Sequence, residues 1–221
     1  MTSCGWVGKR DLATVISDCE DTSEFERAAA LAVWHGDIGA AVDVLQRGVS
    51  HEDSASFAET MELVAISIAG FHGGDSSGSA VWRRACANLA QRPDLADSSK
   101  TGAGYLRHVL KFLRNIGVDT NHKELLNDSK LNLCDRVAFA CRFLPKDDLT
   151  SFVDKCVKDC LEKGNIEGVS ITGIGKMGIQ ILQSYVDIFS DIQSAALVTS
   201  RVIFPQDMNA ERKVAFEWLH E

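Results

Sequence analysis

The chain has 221 residues, of which 45% are hydrophobic and 24% are charged, and its formal net charge is −8. A hydrophobic share of this size excludes disorder of the whole chain and allows either one substantial core or a stack of packed repeats. The acidic balance argues against a nucleic-acid partner, and because no run approaches the roughly 20 apolar residues of a spanning helix, no direct membrane insertion is expected.

Residues 1–23 are expected to be a partly helical N-terminal segment. The segment from Phe25 to Gly48 then reads as two short helices, because apolar residues recur at i, i+3, i+4 and i+7 in each half. Gly36 can end the first helix in the left-handed conformation, and Asp37 can cap the second. So short a turn predicts an antiparallel helix hairpin, with two apolar stripes: Phe25, Ala28, Ala29 and Ala32, followed by Ile38, Ala41, Val42 and Leu45.

Helical spacing continues along the rest of the chain, interrupted by loops that are expected to be flexible near residues 73–79 and 94–104. Gly164 and Asn165 repeat the chemistry of Gly36 and Asp37, and Ser190 or Asp191 caps a further helix. The predicted helices are centred on the following segments: Phe57–Phe71, Trp82–Leu89, Leu106–Ile116, Leu133–Leu144, Leu149–Lys163, Ile179–Phe189, Ile192–Ala195 and Asp207 onwards.

Strand alternation is nearly absent, and the pattern sums to roughly nine to eleven short helices of ordinary length. One helix hairpin cannot bury its own apolar surface, so recurring hairpins indicate a stack. The fold class is therefore all-α, an irregular α-solenoid of stacked antiparallel helix pairs over residues 24–221. Solenoids usually bind partners rather than catalyse reactions.

One motif favours an enzyme. Gly173, Gly175 and Gly178 match the G-x-G-x-x-G pattern of a dinucleotide site, in which a strand precedes the loop and a helix follows it. Here the preceding residues 169–172 follow a helix stop and cap, which predicts a short helix instead of a strand. We therefore interpret the motif as a loop between two helices and expect no cofactor.

The cysteines and histidines assemble no recognisable catalytic or metal site. Cys156 and Cys160 lie one helical turn apart, but the spacing is wrong for paired zinc knuckles, so most cysteines are expected to be reduced core residues. Each histidine is interpreted as a solvated or cap-adjacent residue. The two sets are Cys4, Cys19, Cys86, Cys134, Cys141, Cys156 and Cys160, and His35, His51, His72, His108, His122 and His220.

Two tryptophans on predicted helices, Trp34 and Trp82, are expected to pack between helices, with a partner-binding anchor as the alternative. At the C-terminal end the last helix carries Val214, Phe216, Trp218 and Leu219. We expect this helix to present an open apolar surface that drives association, and a Trp218→Glu change to raise solubility.

Several long blocks resemble the α-solenoid of the Mio (missing oocyte, meiosis regulator) family, in order over most of residues 24–218. The blocks are AALAVWHGDIGAAVDVLQRG, ELVAISIAGF, VWRRAC, DRVAFACRFLPKDDL and GNIEGVSITGIGKMGIQILQSYVDIFSDIQSAAL. In that family a WD-repeat propeller precedes the solenoid and a zinc-binding RING-like region follows it. Neither is expected in these 221 residues.

The resemblance implies a non-catalytic scaffold, with other propeller–solenoid subunits of the SEA or GATOR assembly as partners. It further implies a role in relaying amino-acid sufficiency to TOR kinase, and a cytoplasmic protein recruited to the lysosomal or vacuolar membrane through those partners. It transfers no catalytic, cofactor-binding or metal-binding residues. Two alternatives stay open: a solenoid of a membrane coat or vesicle tether, and an enzyme that binds a nucleotide at Gly173–Gly178.

Overall fold

A computed structural model describes residues 9–71, 79–96, 101–116, 122–205 and 208–220. Every regular element in those ranges is helical, with fourteen α-helices, one short 3-10 turn and no strand. The prediction of an all-α, solenoid-type fold is confirmed. The expected number of helices was too low, because helices of four or five residues such as Pro93–Ala96 and Lys123–Asn127 are too short to show a period.

The chain divides into two compact units, Met1–Asn132 and Leu133–Glu221. The helices of the first unit are α1 (Lys9–Asp21), α2 (Phe25–His35), α3 (Ile38–Val49), α4 (Ala55–Ala69), α5 (Ser79–Leu89), α6 (Pro93–Ala96), α7 (Thr101–Asn115) and α8 (Lys123–Asn127). Consecutive helices from α1 to α4 pack against one another, and α7 lies across α2 and α4.

The first unit has a deep core because α2 is buried along nearly its whole length. Eight of its eleven residues are inaccessible, including Trp34 at 1% exposure. Tyr105 of α7 lies beside Trp34, with ring centroids 6.2 Å apart, and the Tyr105 hydroxyl accepts a hydrogen bond from the Asn132 backbone at 3.0 Å. This α2–α7 contact therefore ties residues far apart in sequence.

The helices of the second unit are α9 (Leu133–Phe143), α10 (Lys146–Lys163), α11 (Val169–Thr172), α12 (Lys176–Phe189), α13 (Ile192–Thr199) and α14 (Asn209–His220), with the 3-10 turn Ile166–Gly168 before α11. They enclose two smaller clusters instead of one deep core. In one, Cys156 and Cys160 of α10 meet Ile181 of α12. In the other, α12 packs with α13 and α14 around Leu182 and Trp218.

The glycine–Asx turns form as the sequence predicts. Gly36 ends α2 with φ +83°, and the Asp37 carboxylate accepts the Ala40 N–H at 3.1 Å. Gly164 ends α10 with φ +59°, and Asn165 begins the 3-10 turn. At the third predicted turn, both Ser190 and Asp191 have a role. Ser190 ends α12 with φ +56° and Asp191 caps α13.

The prediction of a loop at residues 94–104 is wrong for the described residues of that stretch. Pro93 begins α6, where a missing N–H costs nothing, and Thr101 begins α7. Leu95 and Ala103 are both fully buried, so tertiary packing orders a stretch whose composition is polar. Residues 97–100 of that loop lie outside the described residues.

Other expectations fall partly or wholly outside the described ranges. Residues 1–8 precede α1, which packs on α2. Of the loop at 73–79 only Ser79 is described, and it begins α5. The predicted helix start at Asp207 is likewise outside, and α14 begins at Asn209. Among the described residues, none of the helices is both long and apolar enough to cross a membrane.

Candidate interaction surfaces

The glycine motif lies in a connection between two helices, as predicted. Gly173 follows α11 with φ +66° and ψ −177°, and Gly175 precedes α12. A side chain at Gly178 would collide with the Gly173 carbonyl oxygen, which explains the third glycine by close backbone approach. A helix, not a strand, enters the loop, so the arrangement lacks the geometry of a dinucleotide site.

His108 corrects the expectation that the histidines are solvated or near helix caps. It lies in the middle of α7, is 2% exposed, and its Nε2 lies 2.9 Å from Oδ2 of Asp128. Arg107 donates to the same oxygen at 2.9 Å, and Oδ1 accepts the Lys130 N–H at 3.1 Å. The cluster joins α7 to the segment that follows α8. Its partners are twenty residues apart in sequence, beyond any local pattern.

The charge state of this cluster follows from its surroundings. Burial lowers the pKa of His108, although the Asp128 carboxylate opposes that effect. Burial acts to raise the pKa of Asp128, but hydrogen bonds from His108 and the Lys130 N–H outweigh it, so the pKa lies below its usual value. An ionised carboxylate only accepts, so Nε2 of a neutral His108 carries the proton.

The cleft beside His108 is small, about 70 Å³, and holds Lys111 paired with Glu124. Among the described residues that line it, there is no serine, threonine or cysteine that could serve as a nucleophile for the imidazole. The cluster is therefore suited to holding the helices together through the contacts of His108 and Arg107 with Asp128.

The described cysteines divide by burial. Cys19, Cys86, Cys156 and Cys160 are buried, which agrees with the expectation for most of them, whereas Cys141 is exposed. Burial raises the pKa values of the Cys156 and Cys160 thiols, so both are poor nucleophiles at neutral pH. In the described part of the chain, no three His, Cys, Asp or Glu side chains are grouped to hold a metal ion.

Both described tryptophans of the first unit pack between helices, as expected. Trp34 is buried in the α2–α7 contact. Trp82 of α5 is half-buried, donates its indole N–H to the Ser67 carbonyl at 3.0 Å, and lies 5.6 Å from the Phe71 ring. The same residue thus attaches α5 to the end of α4.

An apolar groove runs along the outer side of the α3–α4 pair and was missed from the sequence. Its volume is about 260 Å³, below the roughly 300–1,000 Å³ of pockets that enclose small ligands. Ile66 is 68% exposed. The groove is lined by Val42, Gln46 and Val49 of α3 and by Glu62, Ala65, Ile66 and Ala69 of α4.

The sequence contains a second stripe on α3 that indicates this groove, but we predicted only one stripe for that helix. Val42 was placed in the buried stripe of α3, but it is only half-buried and lines the groove. The buried face of α3 instead runs through Ala41, Val44, Leu45 and Gly48. Val42, Gln46 and Val49 form a second stripe at i, i+4 and i+7, which a helix with one core partner does not need.

The C-terminal helix corrects a second expectation. Trp218 is 6% exposed and packs with Leu182 of α12 and Ala195 of α13, so it belongs to a core. A glutamate there would bury a charge, which destabilises the fold, and would not raise solubility. Phe216 and Leu219 are each 45% exposed on the same helix. Elsewhere in the second unit Leu197 is 76% exposed.

Comparison with known proteins bears on these surfaces. The family model for the MIOS α-solenoid matches residues 1–143. The chain is 29% identical over 229 residues to the GATOR2 complex protein MIOS of Dictyostelium discoideum, covering 92% of this chain and 20% of the relative. It is 32% identical over 196 residues to the GATOR2 complex protein MIOS of Danio rerio, covering 87% and 20%.

A yeast relative is similar to the same degree. SEH-associated protein 4 of Saccharomyces cerevisiae is 35% identical over 191 residues, covering 83% of this chain and 16% of the relative. The chain thus spans about a fifth of the length of the curated relatives it matches. The groove between α3 and α4 lies inside the segment that the family model matches.

Proposed function

The chain belongs to the MIOS family through its α-solenoid, and from that premise we propose that it is a non-catalytic scaffold of a GATOR2- or SEA-type assembly. The observation that carries the proposal is the family match over residues 1–143 together with relatives that are named as GATOR2 complex proteins. Stacked helices such as α1 to α4 of the first unit are the kind of element through which solenoids bind other subunits.

The proposal also includes a signalling role and a location in the cell. We propose that the assembly relays amino-acid sufficiency to TOR kinase, and that partner subunits bring the chain to the lysosomal or vacuolar membrane. Support comes from the resemblance to the Mio family, which implies both the role and the location, whereas the names of the relatives support the assembly alone. The enzyme alternative has less support, since a helix enters the Gly173 loop and the described lining of the cleft at His108 contains no serine, threonine or cysteine.

Purification of the tagged full chain from cells, followed by quantitative mass spectrometry, tests the assembly. We expect enrichment of GATOR2 or SEA subunits over a tag-only control. Enrichment of coat or tethering subunits in their place would favour the membrane-coat alternative and contradict this proposal. Titration with NAD and ATP addresses the enzyme alternative, which requires saturable binding that a Gly175→Val variant loses.

The signalling role needs its own experiment. An excess of this chain should compete with the cell's own full-length relative for partner subunits, so the phosphorylation of TOR substrates after amino-acid refeeding should fall. A chain that binds the subunits and leaves this phosphorylation unchanged at high excess would retain the scaffold and reject the signalling role.

A further inference from the structure

The groove between α3 and α4 is apolar along its floor and acidic at its edge. Glu62 and Asp43, the residue that follows Val42 in the chain, are exposed, and neither has a hydrogen-bond or ion-pair partner among the described residues. Glu62 lies in the groove wall itself. The two helices carry one cation, Arg47, and its guanidinium is held by Glu20 of α1 at 2.6 Å. The surface therefore has uncompensated negative charge beside exposed aliphatic side chains.

The apolar part of this surface is not explained by the fold. Ile66 is 68% exposed on a helix whose opposite face, through Met61, Val64 and Ile68, is already buried. A second apolar stripe on α3 faces the same groove. Two adjacent helices that each turn aliphatic side chains outward on the same side are typical of a surface that receives another helix.

We propose that this groove binds a basic amphipathic helix of another protein. Apolar side chains of that helix at i, i+3 or i+4 and i+7 would lie against Val42, Val49 and Ile66. Lysine or arginine residues flanking them would pair with Asp43 and Glu62. The proposal rests on the proposed function, since it assigns one contact surface of the scaffold and the chemistry of the subunit that occupies it.

The charges select among possible occupants. A second copy of this acidic chain would place carboxylates against carboxylates, which costs free energy and disfavours self-association through the same face. A small cofactor is disfavoured because the groove is open and holds only about 260 Å³. A helix with cations beside its apolar stripe matches both the negative charge and the open apolar surface of the groove.

The first test uses the full chain and a synthetic helical peptide of about 18 residues, with leucines on one face and flanking lysines. Binding is measured by fluorescence anisotropy, and a photoreactive residue at Gln46 should cross-link to the bound peptide. A peptide with glutamates in place of the lysines should bind more weakly. Equal binding of both peptides, or of a sequence-scrambled peptide, overturns the proposal.

Two variants locate the binding. Ile66→Glu should weaken peptide binding by about tenfold or more, because it puts a charge in the centre of the apolar contact. Glu62→Lys should weaken it roughly twofold to fivefold and reduce its dependence on salt. Val81→Glu is the matched control, since Val81 is equally exposed at 66% on α5 of the same unit. If Val81→Glu weakens binding as much as Ile66→Glu, the groove is not the site.

The second test separates this inference from the proposed function. Purification of the full chain from cells is repeated with Ile66→Glu and Val81→Glu, and subunits are quantified. Selective loss of one subunit with Ile66→Glu, cross-linked from Gln46 through a basic helix, supports the groove. Unchanged assembly in both variants overturns the groove proposal and leaves the scaffold proposal intact.

The parent chain gives two further outcomes. If it recovers no subunits, the scaffold proposal fails, and the peptide experiment still tests the groove. A parent dimer that Ile66→Glu dissociates would assign the face to self-association and overturn the proposal.

Discussion

The turn at Gly36–Asp37 and the turn at Gly164–Asn165 have nearly the same sequence chemistry and the same left-handed glycine, yet the protein around them differs. A Cβ added at Gly36 would meet no atom within 4 Å. A Cβ added at Gly164 would lie 3.0 Å from Cδ1 of Ile188 and 3.0 Å from the Ser184 carbonyl oxygen. The first glycine is required by its backbone alone, and the second also by the closeness of α12.

The capping side chains differ in a parallel way. Asp37 accepts the N–H of the third residue onward, Ala40, and begins the twelve-residue helix α3. Asn165 accepts the N–H two residues onward, Glu167, at 3.0 Å and begins only a three-residue 3-10 turn. The same local device therefore starts a long helix in one unit and redirects the chain in the other.

The largest expected effect is at the buried turn. Gly164→Ala should destabilise the second unit by about 3 kcal/mol, the sum of left-handed strain and crowding against α12. Hydrogen exchange followed by mass spectrometry, read on peptides from α10 and α12, measures the loss for that unit. The control is Gly175→Ala, because Gly175 has negative φ and open space around it. Equal stability of the two variants would contradict both the left-handed strain at Gly164 and the crowding by α12.

The open turn gives the matched, smaller effect. Gly36→Ala adds the same atom at the same kind of φ but meets no neighbour, so only the backbone strain of about 1–2 kcal/mol remains. Exchange in peptides from α2 and α3 reports it. If Gly36→Ala lowered the free energy of unfolding as much as Gly164→Ala does, crowding by α12 would contribute nothing at Gly164.

The caps come next in size. Asp37→Ala should cost about 1 kcal/mol, whereas Asn165→Ala should cost about 0.5 kcal/mol because the capped segment is so short. Asp37→Asn keeps an acceptor oxygen and serves as the control, with stability near that of the parent. Urea denaturation of the whole chain, alongside exchange in each unit, separates the two sites. A larger loss at Asn165 would show that the 3-10 turn supports more of the second unit than its length indicates.

The third turn differs from the other two because its left-handed residue is serine and not glycine. Ser190 has φ +56° and is exposed, so Ser190→Gly should stabilise the second unit by about 0.5 kcal/mol, strain relief exceeding the added chain entropy. Ser50→Gly is the control, since Ser50 ends α3 with φ −72° and has no strain to lose. Thermal unfolding of both variants decides the sign, and a destabilised Ser190→Gly would contradict this account.

Much of the fold could be read from the sequence because its signals are local. A glycine stop and an Asx cap involve atoms within four residues of each other, and these predictions at Gly36, Asp37, Gly164 and Asn165 were confirmed. The family resemblance, which spans several long blocks, was confirmed as well. The groove between α3 and α4 was not foreseen, although Val42 and Val49 stand at helical spacing.

The side of each helix that meets a given neighbour depends on the packing of the whole chain. Local spacing marks Val42 and Trp218 alike as apolar, but Val42 lies in an open groove while Trp218 packs against Leu182. His108 and Asp128 meet only because α7 and the segment after α8 fold together. The amino-acid sequence determined helices and turns through short-range sterics and hydrogen bonds, and it determined the family through long similar blocks. Burial was decided by contacts between residues far apart in the chain, which no periodicity contains.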